Sequence, residues 1–235
     1  MKEDKNMAKL TNGTNMVTIE PINLVSIPLR IIGDSPLIVH AWGHKAQQEM
    51  LDKQTKKTKA TGKEAKNPTM DFIESLYWME GKPTEFTNEA FNEAVHNGAR
   101  WGFPVTAIKK GACVVSSRNE LGIQGTKIKS AFIIDGVGPN QLAEIKGSIP
   151  EPRQDMVRIG GISKTADIRF RAQFNTPWYM DLTIRYNQNG ALTLEQIITL
   201  INMAGFSCGI GEWRPEKDGV YGQYHVELGQ TVVGG

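Results

Sequence analysis

Two cysteines, Cys113 and Cys208, are all that 235 residues contain, and neither has a CxxC partner. That argues against a zinc site and against a secreted disulfide scaffold. No apolar run reaches the roughly 20 residues of a membrane span, and the N-terminus is polar rather than signal-like. A cytoplasmic protein without a membrane partner is the expectation. Charge of one sign is scarce as well. Lys and Arg number 27 against 25 Asp and Glu, a net +2, so any polyanion site must come from local clustering. G-x-S-x-G, HExxH, paired carboxylates at a catalytic spacing and a cysteine with a nearby histidine are also missing. Catalysis, a cofactor and a bound metal are therefore not expected.

What is present concentrates in the last fifty residues. Trp178 to Tyr186 alternates, with Met180, Leu182, Ile184 and Tyr186 on one face, as a half-buried strand does. Thr193 with Gln196 forms a capping-box pattern, and Leu194, Ile197, Ile198 and Ile201 share a helical face that Gly205 is expected to end. A second strand carries Tyr224, Val226 and Leu228. Between helix and strand lies a loop with Gly209, Gly211, Gly219 and Gly222. These glycines permit positive φ and close approach to another backbone or to a ligand. The loop follows a helix C-terminus, so it lacks the free N–H groups of a nucleotide-phosphate cradle. Trp213, Arg214, Lys217 and Tyr221 suit an extended polyanion with stackable bases, and a purely structural crossover is the alternative. Strand, helix, loop, strand is half of a ferredoxin-like unit.

Upstream, residues 1–16 read as a polar, disordered tail and 229–235 as a second tail, with one domain over 17–228. Ile27, Leu29 and Ile31 alternate in a strand that Pro28 marks as an edge or bulge. Gly33-Asp34-Ser35-Pro36 is a turn, and Leu37 to Val39 resumes buried structure. His40 and His44 stand four apart, a spacing for one helical face, without the third ligand a metal needs. Residues 53–67 hold six lysines, Lys53, Lys56, Lys57, Lys59, Lys63 and Lys66, against one acid. The segment is either a solvated loop or an arm that collects phosphates.

Helices are expected over Pro68 to Met79, Thr87 to Arg100 and Val105 to Arg118. In the third, Ala107, Ile108, Gly111, Ala112 and Val115 pack against a sheet, with Lys109 and Lys110 on the other side. Short strands are expected at 131–134, 145–149 and 156–159, with Pro150-Glu151-Pro152 as a rigid connector. Asp167 to Phe174 alternates, and Arg158, Arg169 and Arg171 are phosphate-contact candidates. Pairing of one arginine with Asp155 or Asp167 is the structural alternative.

Two runs carry a family resemblance. Ile31-Ile32-Gly33-Asp34-Ser35-Pro36-Leu37 is similar to the start of RAMP-superfamily proteins. Gly209-Ile210-Gly211-Glu212-Trp213-Arg214-Pro215 with Gly219, Tyr221 and Gly222, together with Asp167 to Arg171, resembles Cas7-like proteins of phages and prophages. The resemblance implies an α+β, ferredoxin-like (RRM-like) core with inserted excursions. It implies sequence-independent binding of single-stranded nucleic acid, with DNA favoured over RNA, by repeated subunits forming a homo-oligomer. The strand would lie across a four-stranded sheet, held by the lysines, the arginines and Lys217, with Trp213, Tyr221 or Trp101 for stacking. Two other readings stay open: a protein-interaction module that obstructs or mimics a host nucleic-acid complex, and a metal-independent RAMP ribonuclease using His40 or Asp34.

Overall fold

The computed structural model describes residues 9–12, 15–18, 21–55, 66–117, 122–158 and 166–227. In chain order the elements are β1 (Lys9–Asn12), β2 (Asn15–Thr18), β3 (Leu24–Gly33), β4 (Leu37–Val39), α1 (His44–Gln54), α2 (Pro68–Glu74), β5 (Trp78–Glu80), α3 (Asn88–His96) and β6 (Arg100–Pro104). There follow α4 (Val105–Ser117), α5 (Gly125–Ala131), β7 (Phe132–Asp135), β8 (Leu142–Glu144), β9 (Glu151–Arg158), β10 (Ala166–Phe174), β11 (Tyr179–Asn187), α6 (Leu194–Ser207) and β12 (Tyr224–Val226). The protein is a mixed α+β structure with small antiparallel sheets, ordered β12-β3-β11-β7, β4-β10-β9, β5-β6-β8 and β1-β2. No helix among the described residues is long and apolar enough to cross a membrane.

The largest sheet follows from alternation. Met180, Leu182, Ile184 and Tyr186 of β11 are buried, and β11 pairs with β3 along its whole length. Helices α4 and α6 cover that inner face with Ile108, Ala112, Val115, Ile197, Leu200, Ile201 and Ala204. Strand β12 pairs with β3 only at Ile31–Gly33, so β3 is an edge strand at Pro28, where no N–H exists to donate. The capping box opens α6 as expected, with Thr193 and Gln196 bonded reciprocally.

Several boundaries differ from the sequence expectation for local reasons. Gly205 does not stop α6. A Cβ there would sit 1.9 Å from the Tyr224 carbonyl oxygen, so the glycine lets α6 lie against β12, and the helix runs on to Ser207. Gly111 packs against Ala204 of α6 rather than against a sheet. Helix α2 starts at the Asn67 cap with Pro68 in its first turn and ends at Glu74, because Trp78 pairs across to Trp101 in a strand. Gly98, at φ +79°, turns the chain just past α3 and releases Arg100–Pro104 as β6. Pro150-Glu151-Pro152 is not a connector, since β9 begins at Glu151. Strand β8 lies at Leu142–Glu144, ahead of the expected 145–149. Part of the expected N-terminal tail is a two-stranded ladder, β1 with β2. Residues 1–8 and 228–235 lie outside the described residues, as do Arg118 and Ile159.

Candidate functional site

Two clefts meet at His40, which follows β4 and precedes α1. One, of about 370 Å³, runs between α4 and the loop after α6, with Lys110, Tyr77, Glu212 and Arg214 among its lining. The other, of about 540 Å³, runs between α2 and β10, with Trp42, Lys66, Asp71, Glu74 and Arg169. His40 is in a loop and not on a helix, so the four-residue spacing to His44 builds no shared helical face. Burial, and then the Arg171 charge, push the His40 imidazole below its ordinary pKa. Among the residues whose surroundings are described, no group of three side chains suits a metal ion.

The glycine loop is built by its own backbone. Gly209, Gly211 and Gly222 have φ of +62°, +78° and +68°. Ile210 N–H donates to the Gly222 carbonyl, Glu212 N–H to Ile38 and Gly222 N–H to Pro36, at 2.8–2.9 Å. A Cβ on Gly211 would lie 2.3 Å from the Ile38 carbonyl oxygen, and one on Gly219 would lie 1.7 Å from that of Trp213. Of the two approaches expected of these glycines, the one seen is to backbone, that of the loop itself and of the segment around β4.

The basic candidates divide. Arg171 is only 3% exposed. Its guanidinium lies 3.4 Å from Asp155 and 3.5 Å from Glu212, and its Nε finds no hydrogen-bond partner among the described residues. It joins β10 to β9 and to the glycine loop and is not placed to meet a solvent phosphate, so the Asp155 alternative is the one that holds. Arg214 donates to Glu216 at 2.8 Å and to the Gly211 carbonyl at 2.9 Å, pinning the loop. Burial pushes the Glu216 carboxyl up, and the Arg214 hydrogen bond and charge outweigh it, leaving a net lowering. Lys66 pairs with Asp167 at 2.5 Å, and that hydrogen bond holds the Asp167 carboxyl below the usual range. Lys109 lies over the Phe132 ring at 5.6 Å.

Lys110, Arg158, Arg169 and Lys217 have no ion pair among the described residues, and of these Lys110 and Arg169 line the clefts. Lys53 lies on α1, with its side chain outside the described residues, as are Lys56, Lys57, Lys59 and Lys63.

The aromatics are rearranged too. Trp101 is 6% exposed and packs on Trp78 and Phe174, so it is core and no stacking platform. Tyr221 lies under the Arg153 guanidinium at 4.7 Å. Trp213 is 41% exposed and Trp42 is 58% exposed. Sequence reasoning passed over Trp42. Its signal was an aromatic set between Ala41 and Gly43 just where the apolar run 37–39 ends.

The outer face of the largest sheet is laced with ion pairs, Arg30 with Asp181 at 2.7 Å, Lys146 with Asp181 at 3.1 Å and Arg185 with Asp135 at 2.7 Å. It offers no bare aromatic platform for a strand: Tyr179, the aromatic of β11 on that face, lies beneath Arg30 at 4.5 Å. Asp34 meets His225 Nδ1 at 2.6 Å on the surface and lines neither cleft of His40, so the two ribonuclease candidates do not share a site. No protein-family model matches the chain, and no curated protein matches it.

Proposed function

We propose that the protein binds single-stranded nucleic acid, DNA in preference to RNA, without regard to most of its sequence, in the trough formed by the two clefts. The observation that carries the reading is that the glycine loop and Lys66, the last lysine of the basic segment 53–67, border clefts sharing His40. Lys110 and Arg169 take phosphates along that path, while Lys217 and Arg158, also without ion pairs among the described residues, stand outside its lining. Trp42 and Trp213 offer rings for stacking at about 1–3 kcal/mol per base. The lysines of 53–67 add long-range attraction through counterion release.

The proposed fold assignment is a ferredoxin-like, Cas7-like core. It is supported by the chain order β3, α4, β7, β11, α6, β12 and the spatial order β12-β3-β11-β7, the arrangement of a split βαβ unit. Repeated subunits along one strand, as a homo-oligomer, belong to the same proposal. A protein-interaction module is the second reading, favoured by the carboxylates that already occupy Lys66, Arg171 and Arg214.

Fluorescence anisotropy with labelled single-stranded DNA, single-stranded RNA and duplex DNA at low salt tests the choice. Single strands bind and duplex competes poorly if the proposal is right. Binding to none of the three leaves the protein-partner reading standing alone.

A further inference from the structure

We propose that the larger cleft, between α2 and β10, reads one base of the bound strand and that this base is guanine. The inference rests on the single-strand reading above and adds one selective position to an otherwise base-blind trough.

The cleft of about 540 Å³ has room for a nucleotide, and at it stands the Trp42 indole, 58% exposed. Asp71 and Glu74 are one turn apart on α2 and half-buried. Neither carboxylate has a hydrogen-bond or ion-pair partner among the described residues, whereas the nearby Asp167 is already occupied by Lys66. Gly43 has no Cβ where one would lie 2.8 Å from Glu74 Oε2, so this carboxylate sits close to backbone. Arg169, also lining the cleft, carries a charge without an ion pair among the described residues.

Carboxylates that line a cleft and have no protein donor among the described residues can accept hydrogen bonds from a ligand that brings donors. Guanine presents two adjacent donors, N1–H and the N2 amino group, to one carboxylate. Adenine and cytosine place a lone-pair acceptor beside their single amino group, and thymine has one N–H between two carbonyls. Two oxygens that only accept therefore favour guanine. The Trp42 ring supplies the stacking face that an unstacked base needs. Unpaired bases are read in this way, on their Watson–Crick edge, once a strand is single.

The test compares 18-residue strands of alternating dG-dT, alternating dI-dT and dT alone in lithium buffer, by anisotropy with the full chain. Inosine lacks only the N2 amino group. The dG-dT strand should bind roughly ten-fold tighter than dT, within the range of one good bidentate contact. The dI-dT strand should lose most of that gain. Asp71→Asn with Glu74→Gln should bring dG-dT and dT together by removing the gain of dG-dT, while dT affinity, relieved of two negative charges at the strand, should not fall. Equal affinity of all three strands for the wild-type protein overturns the guanine site while the single-strand reading survives. It is also the result expected if an arginine of a protein partner, which has the same two-donor edge, occupies the cleft. Failure of every strand to bind overturns both.

Discussion

Alanine at Gly211 would separate what the glycine loop does for the fold from what glycine does anywhere. Two costs meet at this residue. The backbone is left-handed, φ +78°, and forcing an L side chain there costs about 1–2 kcal/mol. The new Cβ would also lie 2.3 Å from the Ile38 carbonyl oxygen and 2.8 Å from Leu37 Cδ1. Overpacking of that kind adds about 1–3 kcal/mol. Gly98 is the control, with φ +79° and nothing within 4 Å of where a Cβ would stand. Gly98→Ala therefore carries the first cost alone. In paired urea titrations Gly211→Ala should be the less stable of the two by about 1–3 kcal/mol. In thermal scans that is a further fall of roughly 2–12 °C for a chain of this size. Equal losses in the two variants would refute the claim that the loop is held by close contact with the segment around β4.

Three further outcomes follow from the site. Arg171→Met should cost about 3 kcal/mol in a urea titration, the low end for breaking a buried pair, because Asp155 keeps Arg153 at 2.8 Å. His40 has a folded pKa below its ordinary 6.5, so the unfolded chain binds the extra proton first. Its contribution to stability is full above that value and lost as pH falls toward the folded pKa; His40→Gln should flatten this part of the pH–stability curve. A phosphate in the trough would favour protonated His40, so strand affinity should rise between pH 7 and pH 5.5 in wild type and rise less in His40→Gln, read by anisotropy at fixed salt.

The sequence made the periodic elements legible. The alternation of 178–186, the capping box at Thr193 and the apolar face of α4 all correspond to elements in the structure. What it hid were features set by residues far apart in the chain. Gly205 looked like a helix stop, because only the position of Tyr224 reveals that a glycine is needed inside the helix. Arg171 looked like a surface strand residue, because Asp155 and Glu212 lie 16 and 41 positions away. Trp101 looked like a stacking ring, and Trp42 drew no notice, for the same reason. An aromatic reads alike in core and in cleft until its neighbours are known. Nothing in the sequence set Asp71 and Glu74 apart; only the structure shows α2 facing β10.

The salt dependence of strand binding tests the central claim most directly. Binding of an 18-residue dT strand would be followed between 50 and 300 mM salt for wild type and for Lys110→Gln/Arg169→Gln. With about 0.7 counterions released per neutralised phosphate of a single strand, the double variant should show a slope of log K against log salt shallower by about 1.4, and weaker binding at low salt. The same slope and affinity in both proteins would contradict a phosphate path through the two clefts.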